Sequence, residues 1–146
     1  MKAIAVDKAK IELKATAPWL WGTGSTLTLT IDAQNEPVRF DEKQVITQLA
    51  IPSFQFKIQG QSYQATRAHT IPGTVVMCMM AIDPASLSDS FKSGVNPVFC
   101  EGTHGTFVIT CTPSIQPAPS PIPDPVPVKQ GTWKVKDANQ NFGEAE

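Results

Sequence analysis

Residues that carry chemistry are scarce in this chain of 146 residues, which has two histidines and three cysteines. Charge is scarce as well: 12 basic residues stand against 13 acidic ones, for a net charge of -1. The lysines and arginines are spread thinly, so no face is positive enough to follow a phosphate backbone, and nucleic acid is not an expected partner. No apolar run approaches the length that crosses a bilayer, so no membrane-spanning segment is expected. The opening run Ala3-Ile-Ala-Val6 is cut by Asp7 before it can act as the apolar core of a signal peptide. We therefore expect a chain that is cytoplasmic as synthesised, or exported by a machine that reads no signal peptide. A small, odd number of cysteines in that setting suggests thiols or metal ligands rather than a disulfide framework.

Catalytic constellations are missing too. No serine sits in a glycine-framed nucleophile elbow, and no carboxylate pair stands beside a histidine. Asp7, Asp32, Asp41 and Asp83 all fall next to turns, where aspartate is expected for structural reasons. A thiol-histidine pair, Cys100 with His104 or His69, meets the requirements of a nucleophile in residue type alone. The expectation is a protein that is not an enzyme.

What the chain has in quantity is turn residues, 13 prolines and 9 glycines, set between short apolar alternations. Ser25-Thr-Leu-Thr-Leu-Thr-Ile31 places Leu27, Leu29 and Ile31 on one face, the pattern of a half-buried strand. Ser53-Phe-Gln-Phe-Lys-Ile58 alternates in the same way, and Gly60 then turns it into Ser62-Tyr-Gln-Ala-Thr66, which predicts a hairpin. Thr74-Val-Val-Met-Cys-Met-Met80 is continuously apolar and predicts a buried strand. Residues 41–49 read as strand or loop, and Asp83 to Asp89 as a short helix or a surface loop.

Val98-Phe-Cys-Glu-Gly-Thr-His-Gly-Thr-Phe-Val-Ile-Thr-Cys111 reads as a second hairpin, with Cys100 opposite Cys111 and His104 at its tip. From Thr112 to Val128 proline recurs too often for a helix or a central strand, which predicts an extended tether. Gly131-Thr-Trp-Lys-Val-Lys136 resembles Gly105-Thr-Phe-Val-Ile-Thr110 and predicts a last strand, added at an edge. The expected fold class is all-β, with many short strands and hairpins in a spike-like stack or a sandwich or barrel. The corresponding organisation is a β-rich domain over 1–112, a proline-rich linker over 113–129, and a short terminal strand with a fraying tail over 130–146.

Metal chemistry would have to come from His69, Cys78, Cys100, His104 and Cys111, which supply the ligand types of a structural zinc site. Each also has a plainer reading. Cys78 sits among apolar neighbours as a packed thiol, Cys100 and Cys111 can be a packed cross-strand pair, and His104 can be a solvated turn residue.

Ala5-Val-Asp-Lys-Ala-Lys-Ile11, Thr26-Leu-Thr-Leu29 and Phe56-Lys-Ile-Gln-Gly-Gln-Ser-Tyr-Gln-Ala-Thr-Arg67 are similar to segments of the PAAR-like spike-tip proteins of type VI secretion systems and related contractile injection machines. The resemblance implies a signal-less structural protein that docks on a trimeric spike and can carry effector cargo. It also implies a zinc ion near the tip, for which His69, Cys100, His104 and Cys111 are the available ligands. A second resemblance, of Phe99-Cys100, His104 and the strand Gly105–Thr110 to the copper loop of cupredoxins with His69 as upstream ligand, implies copper electron transfer instead. A metal-free β-sandwich adaptor is the third reading.

Overall fold

Period-two alternation lays down the long strands. In the computed structural model, which describes residues 2–40, 42–87, 92–117, 119–139 and 144–145, seven segments form one sheet. They are Ala9–Ala15 (β1), Leu20–Trp21 (β2), Thr26–Ile31 (β3), Ser62–Gln64 (β4), Gly73–Ile82 (β5), His104–Cys111 (β6) and Val128–Asp137 (β7). Ile11 and Leu13 on β1, Phe107 and Ile109 on β6, and Trp133 and Val135 on β7 are all buried, and the residues between them point outward.

The strand order is β2-β4-β5-β6-β7-β1-β3, and every neighbouring pair is antiparallel. The two ends of that order meet: Trp21 and Gly24 exchange backbone hydrogen bonds of 2.8 and 3.0 Å, and the Ala15 N–H donates to Ser25 O at 2.8 Å. The sheet is thus nearly closed into a barrel, which removes most of its edge. The expected all-β class holds, in its barrel form.

Aromatic rings fill the interior. Trp21 stacks on Phe107 with ring centroids 5.6 Å apart, Trp19 meets Trp21 edge-on at 5.0 Å, and Phe99 stacks on Trp133 at 6.0 Å. Both indole N–H groups of the inner pair are satisfied, Trp21 by Leu13 O and Trp133 by Ala81 O, so burial leaves no orphan donor.

Glycine makes room for this packing. The related segments beginning at Gly105 and Gly131 lie on adjacent strands and pair with each other: Gly105 faces Trp133, Thr106 faces Thr132 and Phe107 faces Gly131. The strand that contains Gly131, expected at an edge, instead runs through the middle of the sheet between β6 and β1. Inward burial of Trp133 and Val135 selects that position, because an edge would leave one side of the backbone without partners.

A second departure is the helix Ile51–Ile58 (α1), where alternation predicts a strand. Phe54, Phe56 and Ile58 suit either period, but Ile51, Phe54 and Ile58 are the buried set, at helical spacing, while Phe56 stays 70% exposed. Pro52 in the first turn suits a helix start. The helix also has a task. β4 pairs with β5 only at Gly73 and Thr74, and α1 covers the edge beyond, where Gln55 Oε1 accepts the Met80 N–H at 2.9 Å.

The proline-rich stretch folds into a small ladder of Ile115–Gln116 with Ile122–Pro123. It is tied to the barrel by reciprocal hydrogen bonds between Ile71 and Ile115 of 3.2 and 2.8 Å. At the far end of the chain, Glu144–Ala145 pairs with Lys2–Ala3. Residues 140–143 and 146 of the tail, Asp41, residues 88–91 and Ala118 lie outside the described residues.

Candidate functional site

The expected Cys100 hairpin is not formed. Thr103 turns the chain immediately after Cys100: its N–H donates to Cys100 O at 2.9 Å, and its Oγ1 accepts the Cys100 N–H at 2.9 Å. Gly102 supplies the positive φ, +94°, that such a turn needs. Cys100 then bridges Ile4, and β6 pairs with β5 and β7, elements distant in sequence. The local turn chemistry wins over the apparent symmetry of the two cysteines.

The four expected metal ligands therefore point to different places. His69 is buried in the loop between β4 and β5, with Nδ1 at 2.8 Å from Thr66 Oγ1. Cys100 Sγ lies against Ser86 O and Thr103 Oγ1, at 3.8 and 3.6 Å. His104 is on the rim, with Nδ1 3.0 Å from Gly102 O and Nε2 3.1 Å from Asp83 Oδ2. Cys111 ends the same strand, about 23 Å away at the rise of an extended chain.

Among the described residues no three or more His, Cys, Asp or Glu side chains are grouped to hold an ion. The set does not fit one tetrahedral zinc, nor does His69 join Cys100 and His104 as a copper site would require. Burial pushes the Cys78 thiol up to about 12, helped by nearby Cys111, and does the same to Cys111, helped by Asp124 and opposed by Lys129.

Two features escape sequence reasoning. The first is the outer face of β5, β6 and β7. Register sets Met77, Thr110 and Val128 in one row across the three strands, Met79, Val108 and Gln130 in the next, and Ala81, Thr106 and Thr132 in the third. None of the nine carries a charge. Met79 is 61% exposed, Met77 49% and Val128 44%. The run Thr74–Met80, expected to be buried throughout, is buried on one face only. A register shift at Thr110/Cys111 turns both Val76 and Met77 outward. Beyond the uncharged rows the face becomes polar, with Glu12 held 3.2 Å from Lys136 and 4.0 Å from Lys134. An uncharged centre beside a charged border fits the charge-depleted core and polar rim of a protein interface.

The second feature is a buried polar clasp under the proline-rich stretch. Asp124 accepts the Tyr63 hydroxyl at 2.9 Å, the Val126 N–H at 3.1 Å and the Lys129 ammonium at 3.0 Å. Tyr63 in turn accepts the Ser114 N–H at 3.1 Å, and Ser114 Oγ accepts the Ala65 N–H at 3.0 Å. Burial works to raise the Asp124 carboxyl, and the three donors together outweigh it and hold the group below its usual value. An aspartate in a proline stretch reads as a turn residue; only its partner Tyr63, far away in sequence, shows otherwise.

No helix among the described residues is long and apolar enough to cross a membrane. Residues 13–146 match the family described as contractile injection system spike tip protein. A search of curated proteins finds no match.

Proposed function

The chain belongs to the contractile injection system spike tip family, and on that premise we propose that it is a structural tip that docks on a trimeric spike through the uncharged outer face of β5, β6 and β7. The observation that carries the docking face is the set of nine outward positions without a charge, bounded by Glu12, Lys134 and Lys136. Desolvating such a face costs little, whereas the charged rim favours one orientation of the partner.

The work of this tip is mechanical and calls for no catalytic residue. β7, the last long strand, is hydrogen-bonded on both sides, to β6 and to β1. A load applied near the carboxyl terminus must shear two ladders together, so the barrel resists force where effector cargo would attach. In this reading the protein leaves the cell with the spike rather than through a signal-peptide route. The aromatic core and the two ladders carry the mechanical role, which requires no zinc.

The test is binding of the full chain to its trimeric spike partner by calorimetry, with Met79→Glu and Val108→Lys beside the parent. We expect each variant to weaken binding by about tenfold or more, as burying an unpaired charge demands. Unchanged binding by both variants, with their melting temperatures intact, would sink this docking face.

A further inference from the structure

Sulfur that an oxidant can reach is confined to one strand of the barrel. The chain has 4 methionines, and Met77, Met79 and Met80 stand together on β5. Alternation sends them to different sides of the sheet. Met77 and Met79 point outward, 49% and 61% exposed, whereas Met80 is half-buried against the core and its N–H donates to Gln55 Oε1. The two outward residues occupy alternate positions of the strand, with Cα atoms about 6.6 Å apart.

Thiols offer no competing target. Cys78, between the two outward methionines, is turned inward, and Cys100 and Cys111 are buried as well. Burial pushes Cys78 and Cys111 up to about 12, so at neutral pH neither is the thiolate that attacks a peroxide. A thioether needs no deprotonation and is limited by access alone. Of the nine uncharged outward positions on β5, β6 and β7, only Met77 and Met79 carry sulfur; the others are threonine, valine, glutamine and alanine.

We infer that Met77 and Met79 form a peroxide-sensitive modification site that governs docking through this face, an inference that rests on the docking reading above. A lone pair of the thioether sulfur attacks the O–O bond of hydrogen peroxide. One oxygen stays on sulfur as the sulfoxide and the other leaves as water, so sulfur loses two electrons and the peroxide gains them. A dithiol reverses the step: the sulfoxide oxygen leaves as water and the dithiol becomes a disulfide. The modified side chain carries a strong acceptor where the face had none. Val108 stands directly opposite Met79, so this chain supplies no cross-strand donor for a sulfoxide there, and docking would bury the acceptor unpaired.

The experiment treats the full chain with hydrogen peroxide, follows each methionine by peptide mass spectrometry, and measures binding of the treated chain to the trimeric spike by calorimetry. In the native chain Met77 and Met79 should oxidise about tenfold faster than Met80, whose sulfur is reached only when its cover opens locally. In denaturant the three rates should converge. Binding by the treated chain should weaken about tenfold, the scale of burying an acceptor without a donor. The double variant Met77→Leu, Met79→Leu should keep its binding after the same treatment, which excludes the other methionines as the cause. Equal rates at Met77, Met79 and Met80 in the native chain, or loss of binding that the double variant shares, would overturn the inference. Treated chain that binds like untreated chain would overturn it as well, and Met79→Glu then separates the two readings. Weakened binding by that variant leaves the docking face standing and removes only its control by oxidation; unchanged binding removes both.

Discussion

Gly131 stands directly opposite Phe107 across the β6–β7 ladder, and the ring occupies the space where a side chain would be. A Cβ at Gly131 would lie 2.5 Å from Phe107 Cζ and 2.3 Å from Lys14 O. Gly105 faces Trp133 in the same way, with its Cβ position 1.8 Å from Ala81 O, and Gly73 faces Tyr63 at 2.3 Å. Three inward glycines are thus each paired with an inward ring, which lets large aromatics share a narrow barrel.

Gly131→Ala should therefore destabilise the protein by about 3 kcal/mol, at the upper end of overpacking costs, because the clashing Lys14 carbonyl is backbone and cannot swing aside. Phe107→Leu added to it should recover only part of the loss, since it relieves the ring contact and not the carbonyl. Urea melts of the three variants check this. A neutral Gly131→Ala would mean that the two strands are spaced more widely than described.

Asp124 makes stability depend on acid. Its folded value is held below the ordinary 3.8, so its contribution is complete above that value and disappears as pH falls through the folded one. Asp124→Asn should cost about 3 kcal/mol near pH 7, where it breaks a buried pair with Lys129, and the gap to the parent should close below pH 3.8. Denaturant melts as a function of pH measure the gap. A gap that persists unchanged into acid would contradict the clasp.

The same clasp predicts an alkaline limb. Burial, together with the neighbouring Asp124, raises Tyr63 above 10.0, against the opposing bonds to Ser114. Its contribution is complete below the unfolded value of 10.0 and is lost as pH rises through the folded one. Tyr63→Phe should flatten that alkaline loss while lowering stability at neutral pH by about 2 kcal/mol, since it strands the Ser114 N–H. Thermal melts between neutral and alkaline pH decide it.

The thiols should be silent in the native state. Cys78 and Cys111 are buried and shifted to about 12, and Cys100 is 3% exposed. A thiol reagent at pH 8 should therefore titrate none of the three until denaturant is added. One thiol reacting at the rate of a free cysteine would show that the barrel opens around it.

Metal content follows from the same positions. Tag-free protein should carry zinc and copper well below one per chain, and Cys100→Ser and His104→Ala should leave that content unchanged by elemental mass spectrometry. Stoichiometric zinc lost in both variants would require Cys100 and His104 to leave the hydrogen bonds described for them.

Much of the fold was legible in the sequence, and the reason is local. Side-chain alternation is a property of a short segment, so Thr26–Ile31 and His104–Cys111 declare themselves as strands wherever they end up. The kinship of Gly105-Thr-Phe107 and Gly131-Thr-Trp133 is likewise visible, although not that the two would pair. The resemblance to spike-tip proteins, drawn from short segments, agrees with the family match over residues 13–146.

The sequence by itself thus determined the all-β class and the strand character of its clearest alternating segments. Tertiary structure decided which strands are neighbours and which face is wet. It put β7 in the middle of the sheet, made a helix of Ile51–Ile58 to cover the open edge of β5, and turned Met77 and Met79 outward. It also separated Cys100 from Cys111, because a four-residue turn at Thr103 sends the chain away before the cysteines can face each other. The physical reason is common to all of these. Periodicity states that one face is apolar, but burial is settled only when the barrel closes and segments far apart in the chain compete for its interior.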